Sequence, residues 1–355
     1  NVLTLRKYTQ RAMYQFTHFA KSSTLTEQWL LDSHNVNDAA KLRFDIKRRE
    51  KMRAVQRGAA QAQVQQADGD AVPGEAVGRP YHNASFVGSP AYYALNKRRA
   101  LAILARCGKP SFFVTFTCNP TWPEITEALL PGQTWRERPD LCARVFKEKK
   151  AQLLKDLREG KAFRDANGDP QKAETLLWVI EYQKRGLPHV HICVRVSGEQ
   201  PTTAAAIDRN VSAKLPTGAS PEDRYLDNML QAQMAHKCGA KCTKNGNCKD
   251  RFPKCVQAHT EVDERGYAQL CRDVRSQRTV AYNRYLLTRY HAHLNVEVCA
   301  SVAVVAYLYK YVFKGADSAT VTIQRDQAAA AQADAAWLNV RYTSSSEAAW
   351  TAFEF

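Results

Sequence analysis

The feature that most narrows the fold is a pair of strand-like runs, Leu176 to Gln183 and His189 to Val196, on either side of the connection Lys184-Arg185-Gly186-Leu187-Pro188. Together they predict a β-hairpin. Side chains alternate between faces along a strand, so His189 and His191 project from one side while Val190 and Ile192 point to the other. Two imidazoles on one face can share an ion. Glu181 and Gln183 share a face of the preceding strand, and either one can add a third, oxygen ligand. Two imidazoles and one oxygen leave positions open for phosphate oxygen and water, which suits Mg²⁺ or Mn²⁺ held partly by a substrate. Taken alone, a His-x-His pair also fits an ordinary half-exposed strand.

The rest of the chain supplies the setting. Two helices are expected between Tyr8 and about Val55, one from about Pro90 to Cys107, and one from about Leu141 to Glu159. Phe112-Phe113-Val114-Thr115-Phe116-Thr117, closed by Asn119-Pro120, reads as a buried strand. Residues 58–80 are rich in Ala, Gln and Gly and hold few large apolar side chains, which predicts a flexible linker. A polar insert spans Gly198 to Asp223. Helices and strands mix without strict βαβ alternation, so the expected class is α+β, with a central antiparallel sheet carrying the His-x-His strand and helices flanking it. The expected division is a helical region at 1–57, the linker, a main domain at 81–325 and an extension at 326–355. The apolar runs fall short of the roughly 20 residues needed to span a bilayer, so no membrane segment is expected. Starting at Asn1 without a methionine, the chain reads as excised from something longer.

Lys and Arg number 51 against 35 Asp and Glu, a formal charge of +16 that points to a polyanionic partner, nucleic acid above all. The 10 cysteines follow no secretory leader, and several cluster, which favours metal over disulfides. His236, Cys238, Cys242 and Cys248 form H-x-C-x3-C-x5-C, and three thiolates with one imidazole fit a closed, structural Zn²⁺ site within an insert at about 226–275. The rival set replaces His236 with Cys255.

A last helix is expected from about Val302 to Lys314. On it Tyr307, Lys310, Tyr311 and Lys314 fall at i, i+3, i+4 and i+7, one polar stripe opposite Val305, Leu308, Tyr309 and Val312. Two tyrosines one turn apart with lysines beside them suit a nucleophile pair facing phosphate. The same helix also fits an amphipathic element whose tyrosines rim the core.

Taken together, these segments resemble the N-terminal Rep nuclease region of Helitron transposases, within the wider class named for its His-hydrophobic-His motif. The resemblance rests on Ser85-Phe86-Val87-Gly88-Ser89-Pro90, on Phe116-Thr117-Cys118-Asn119-Pro120-Thr121-Trp122-Pro123-Glu124-Ile125, on Glu181 to Ile192, on Ala292 to Cys299 and on Tyr307 to Gly315. It implies a rolling-circle transposase nuclease that cuts single-stranded DNA at transposon ends through Tyr307 or Tyr311, leaving a 5′-phosphotyrosine. Under it, His189, His191 and Glu181 hold the catalytic Mg²⁺ or Mn²⁺, with Gln183 as the substitute for Glu181. Lys310 then assists the tyrosines, and Lys314 and Arg185 contact DNA. The family's H-x-H before the later cysteines favours His236 with Cys238, Cys242 and Cys248 as the zinc set. The family also implies a helicase domain further along the same full-length chain and a nuclear location in a eukaryotic host; no G-x-x-x-x-G-K-[ST] loop occurs in this stretch, so it is not expected to hydrolyse ATP. A plasmid or viral replication initiator would share the chemistry but lacks the long N-terminal region and the cysteine insert. A domesticated, non-cleaving DNA-binding module would have lost a ligand or both tyrosines, and the sequence retains them.

Overall fold

The computed structural model describes residues 5–15, 25–41, 43–44, 47–48, 90–182, 186–239, 242–264, 267–299, 318–320, 339–341 and 343–353. The expected linker, the tyrosine helix with Tyr307, Lys310, Tyr311 and Lys314, and both Gln183 and Arg185 lie outside them.

Four antiparallel strands build the central sheet: β1 (Phe112–Thr117), β2 (Ala173–Tyr182), β3 (Pro188–Val196) and β8 (Leu294–Val298), in the order β2-β3-β1-β8. Three small hairpin or ladder pieces lie between or beyond them: β4 (Thr243–Lys244) with β5 (Asn247–Cys248), β6 (Glu261–Val262) with β7 (Ala268–Gln269), and β9 (Ser318–Thr320) with β10 (Asn339–Arg341). The mixture of helices with an antiparallel sheet is the class expected.

One face of the sheet is apolar. Phe112, Val114 and Phe116 from β1, Val190, Ile192 and Val194 from β3, and Leu294 and Val296 from β8 are all essentially inaccessible and form a single core with the long helix Pro139–Arg158. That helix offers Cys142, Phe146, Leu153 and Leu157 at near-helical spacing, the stripe an amphipathic helix needs to cover a sheet. Phe116 stacks on Phe146 at 5.4 Å and meets Tyr290 edge-on at 5.5 Å, while Phe112 stacks on Phe163 at 4.0 Å. Pro139 opens the helix where a missing N–H costs nothing, and Lys155 and Arg158 sit in its last turn against the negative end of its dipole. Gly160, at φ +76, turns the chain away.

The terminal helix Ser345–Ala352 docks on the same long helix, where Ala348, Ala349 and Phe353 close a small cluster with Ala143 and Leu30, the last from the helical stretch 25–41. The insert expected only to be polar contains helix Ala204–Asn210 and the start of helix Pro221–Gln233. Thr203 and Ser220 cap these helices by accepting from Ala206 N and Asp223 N. A second core of Leu226, Leu230, Met234, Tyr282 and Leu287 holds the latter helix to Arg284–Tyr290.

Candidate metal centre

With the core face assigned, alternation sends the other residues of each strand to the opposite face. Register then sets their neighbours. His189 lies opposite Glu181 of β2 and Thr117 of β1, while His191 lies opposite Val179 and Thr115. The Glu181 carboxylate, through Oε2, reaches His191 Nε2 at 2.9 Å and His189 Nε2 at 3.6 Å. One oxygen and two ring nitrogens therefore converge within 4.8 Å of one another. The donor set fits a hard divalent ion, since cis ligands at metal–ligand distances of about 2.1 Å stand roughly 3 Å apart. The two imidazoles are 2% and 8% exposed, so little water competes for their nitrogens. Burial by itself would raise Glu181, but hydrogen bonding and charge from His189 and His191 outweigh it and hold the carboxyl at about 2.

The two imidazoles are not held alike. His191 Nδ1 lies 3.1 Å from Thr115 Oγ1, and the ring stacks on Phe113 at 5.5 Å. His189 stands edge-on to His191, and among the described residues its buried Nδ1 has no hydrogen-bond partner. Beyond Thr115 the row continues onto β8, where Asn295 pairs with Thr115 and donates through Nδ2 to Glu297 Oε1 at 2.9 Å. Burial raises the Glu297 carboxyl, with Asn295 and Lys254 opposing. His293, just ahead of β8, has its pKa lowered by burial and by neighbouring His189. Sequence reading assigned no role to Thr115, Asn295, Glu297 or His293. The signal for the β8 residues was available in the strict apolar–polar alternation Leu294-Asn295-Val296-Glu297-Val298, whose burial follows the same period.

The second constellation is soft. His236, Cys238, Cys242 and Cys248 offer an imidazole nitrogen and three sulfurs within 4.8 Å of one another, and Cys255 is not in the group. His236 Nε2 lies 3.3 Å from Cys248 Sγ and 3.7 Å from Cys242 Sγ, close to the roughly 3.6 Å edge of a tetrahedral zinc site. The chain reaches this geometry through the β4–β5 turn, which brings Cys248 back beside Cys242. Phe252 stacks on His236 at 4.2 Å, and Arg278 Nη1 approaches Cys238 Sγ at 3.4 Å. Backbone N–H groups of Phe252 and Asp250 favour the Cys248 thiolate and draw its pKa down against burial. These four residues can hold a metal such as zinc.

An antiparallel sheet backed by helices, with a carboxylate–imidazole triad on the face away from the core and a His/Cys cluster inserted before its β8 strand, defines an α+β protein with two clusters that could hold metal. The sequence profile of the family described as "Helitron helicase-like domain at N-terminus" matches residues 3–194, more than half of the chain. The chain belongs to this family. The matched residues include Glu181, His189 and His191, whereas the cysteine cluster and Tyr307–Lys314 follow them in sequence. Among curated proteins none matches the chain.

Proposed function

We propose that this chain is the nuclease of a rolling-circle transposase, which cuts and rejoins single-stranded DNA through a 5′-phosphotyrosine intermediate. The convergence of Glu181, His189 and His191 on one sheet face, in a member of a Helitron family, carries the reading. A divalent ion bound there, Mg²⁺ or Mn²⁺, would polarise the scissile phosphate. Glu181 and the two imidazoles supply three ligands, and the near-complete burial of the histidines limits competition from water.

The nucleophile in this reading is the hydroxyl of Tyr307 or Tyr311. Its oxygen bonds to phosphorus, the bond from phosphorus to the 3′ oxygen breaks, the tyrosine proton passes to solvent and the departing 3′ oxygen takes up a proton. An ordinary tyrosine, with a pKa near 10, is a weak nucleophile, so Lys310 and Lys314, spaced three to seven residues from Tyr307 in sequence, serve to favour its anion and to hold DNA. Arg185, in the sequence between β2 and β3, adds a further phosphate contact. A second tyrosine allows a second strand to be cut before the first link is resolved. The His236, Cys238, Cys242 and Cys248 site binds structural Zn²⁺, and a helicase in the same full-length chain unwinds the strand in the host nucleus.

The test is incubation of the whole chain with a labelled single-stranded oligonucleotide and Mn²⁺. A covalent protein–DNA band that disappears when Tyr307 and Tyr311 are both changed to Phe, with DNA affinity held within a few-fold, is the expected result. An undiminished band in the double variant would overturn the assignment.

A further inference from the structure

We infer that Thr115 is a positioning residue for the metal centre, fixing through its hydroxyl which nitrogen of His191 faces the ion. The inference rests on the proposed role of Glu181, His189 and His191 as metal ligands. Its grounds are geometric. His191 Nε2 points to Glu181, and His191 Nδ1 lies 3.1 Å from Thr115 Oγ1. A neutral imidazole carries one proton, so with Nε2 committed to a metal the proton must sit on Nδ1, where the hydrogen-bond partner among the described residues is the Thr115 oxygen. Thr115 thus acts as acceptor toward His191. Asn295, the cross-strand partner of Thr115, turns Nδ2 toward Glu297, and among the described residues its buried Oδ1 has no hydrogen-bond partner.

The cross-strand row thus runs from Glu181 through His191 and Thr115 to Asn295, which is in turn bonded to Glu297. His189 has no such support among the described residues, where its Nδ1 is unpartnered. The site therefore pairs one imidazole that is oriented in advance with one that adjusts.

The experiment measures Mn²⁺ binding to the whole chain without DNA, by the electron paramagnetic resonance of free Mn²⁺, alongside thermal unfolding. Thr115→Val keeps the branched shape and removes the hydroxyl, so it should weaken Mn²⁺ binding about tenfold or more. Thr115→Ser restores the oxygen and should bind within about threefold of the unaltered chain, an outcome that loss of strand packing would not give. Two results would overturn the inference: Mn²⁺ affinity unchanged in Thr115→Val, or Thr115→Ser as weak as Thr115→Val. Should Thr115→Val not fold, Thr115→Ala takes its place against Thr115→Ser and is read in the same way. His189→Ala in the same assay separates the two claims, because Mn²⁺ binding that survives it defeats the metal reading itself, whatever Thr115 does.

Discussion

The Tyr290 hydroxyl donates to the Asp156 carboxylate at 2.6 Å, tying the end of helix Arg284–Tyr290 to the last turns of the long helix across the core. Asp156 has no side-chain exposure and also accepts from Gln152 at 2.9 Å, Lys161 at 3.0 Å and Tyr285 at 3.3 Å. Burial works to raise this carboxyl, but the donors prevail and keep it below the ordinary aspartate value.

Asp156→Asn should therefore destabilise the protein by about 2–4 kcal/mol at neutral pH, since an amide meets its tyrosine and lysine donors without a charge. A carboxylate with a lowered folded pKa contributes stability above its unfolded value of about 4, and that contribution is lost as pH falls through the folded value. Denaturant unfolding of the two proteins should thus differ most near pH 7 and converge in acid. A gap that stays constant down to pH 3 would contradict this account.

Gly160 offers a test of the backbone alone. At φ +76, a Cβ there would stand 3.1 Å from the carbonyl carbon of Gln171 and from the amide nitrogen of Lys172. Gly160→Ala combines left-handed strain with a contact to rigid backbone, so a loss of at least about 1 kcal/mol is expected in thermal or denaturant unfolding. Gly168 shares the positive φ at +84 but has open space around it, and Gly168→Ala should cost less.

Removing the carboxylate while keeping its shape isolates the charge at the metal centre. Glu181→Gln should lower Mn²⁺ affinity by about tenfold or more, and His189→Ala with His191→Ala should eliminate cleavage in every divalent metal tried. Metal-dependent cutting in the double histidine variant would place the ion elsewhere.

The soft cluster should behave independently of the hard one. Elemental analysis of protein purified without chelator should find about one zinc per chain, lost in Cys242→Ser together with thermal stability, while Mn²⁺ is still required for cutting. Zinc that survives Cys242→Ser but falls in His189→Ala would reverse the division between the two sites.

Local pattern carried much of the architecture. Helix Pro90–Cys107 and strand β1 lie where periodicity put them, while in the hairpin β2 starts at Ala173, three residues before the expected Leu176, and Pro188, read as part of the turn, is the first residue of β3 and pairs with Tyr182. The triad was legible for the same reason, since two residues on one strand and one on its hairpin partner are placed by alternation and a short turn. Thr115 and Asn295 were not, because their proximity to His191 follows from pairing between strands more than 70 residues apart in sequence, which no local spacing encodes. The helices inside the polar insert were missed for another reason. Their start signals are single capping residues, Thr203 and Ser220, within segments whose polarity reads as loop.

The order of the sheet has a consequence in time. Glu181, His189 and His191 belong to consecutive strands joined by one short connection, whereas β8 is the last strand of the sheet to be synthesised. At a translation rate of about 5–20 residues per second, the hairpin is complete roughly 5–20 s before β8 leaves the ribosome, and hairpins form within about 1–10 μs. The ligands can gather on the nascent chain long before Asn295 exists to complete the row behind them. A chain stalled between β3 and β8 would thus carry Glu181, His189 and His191 but lack Asn295, so among the described strands the row behind the triad is completed last.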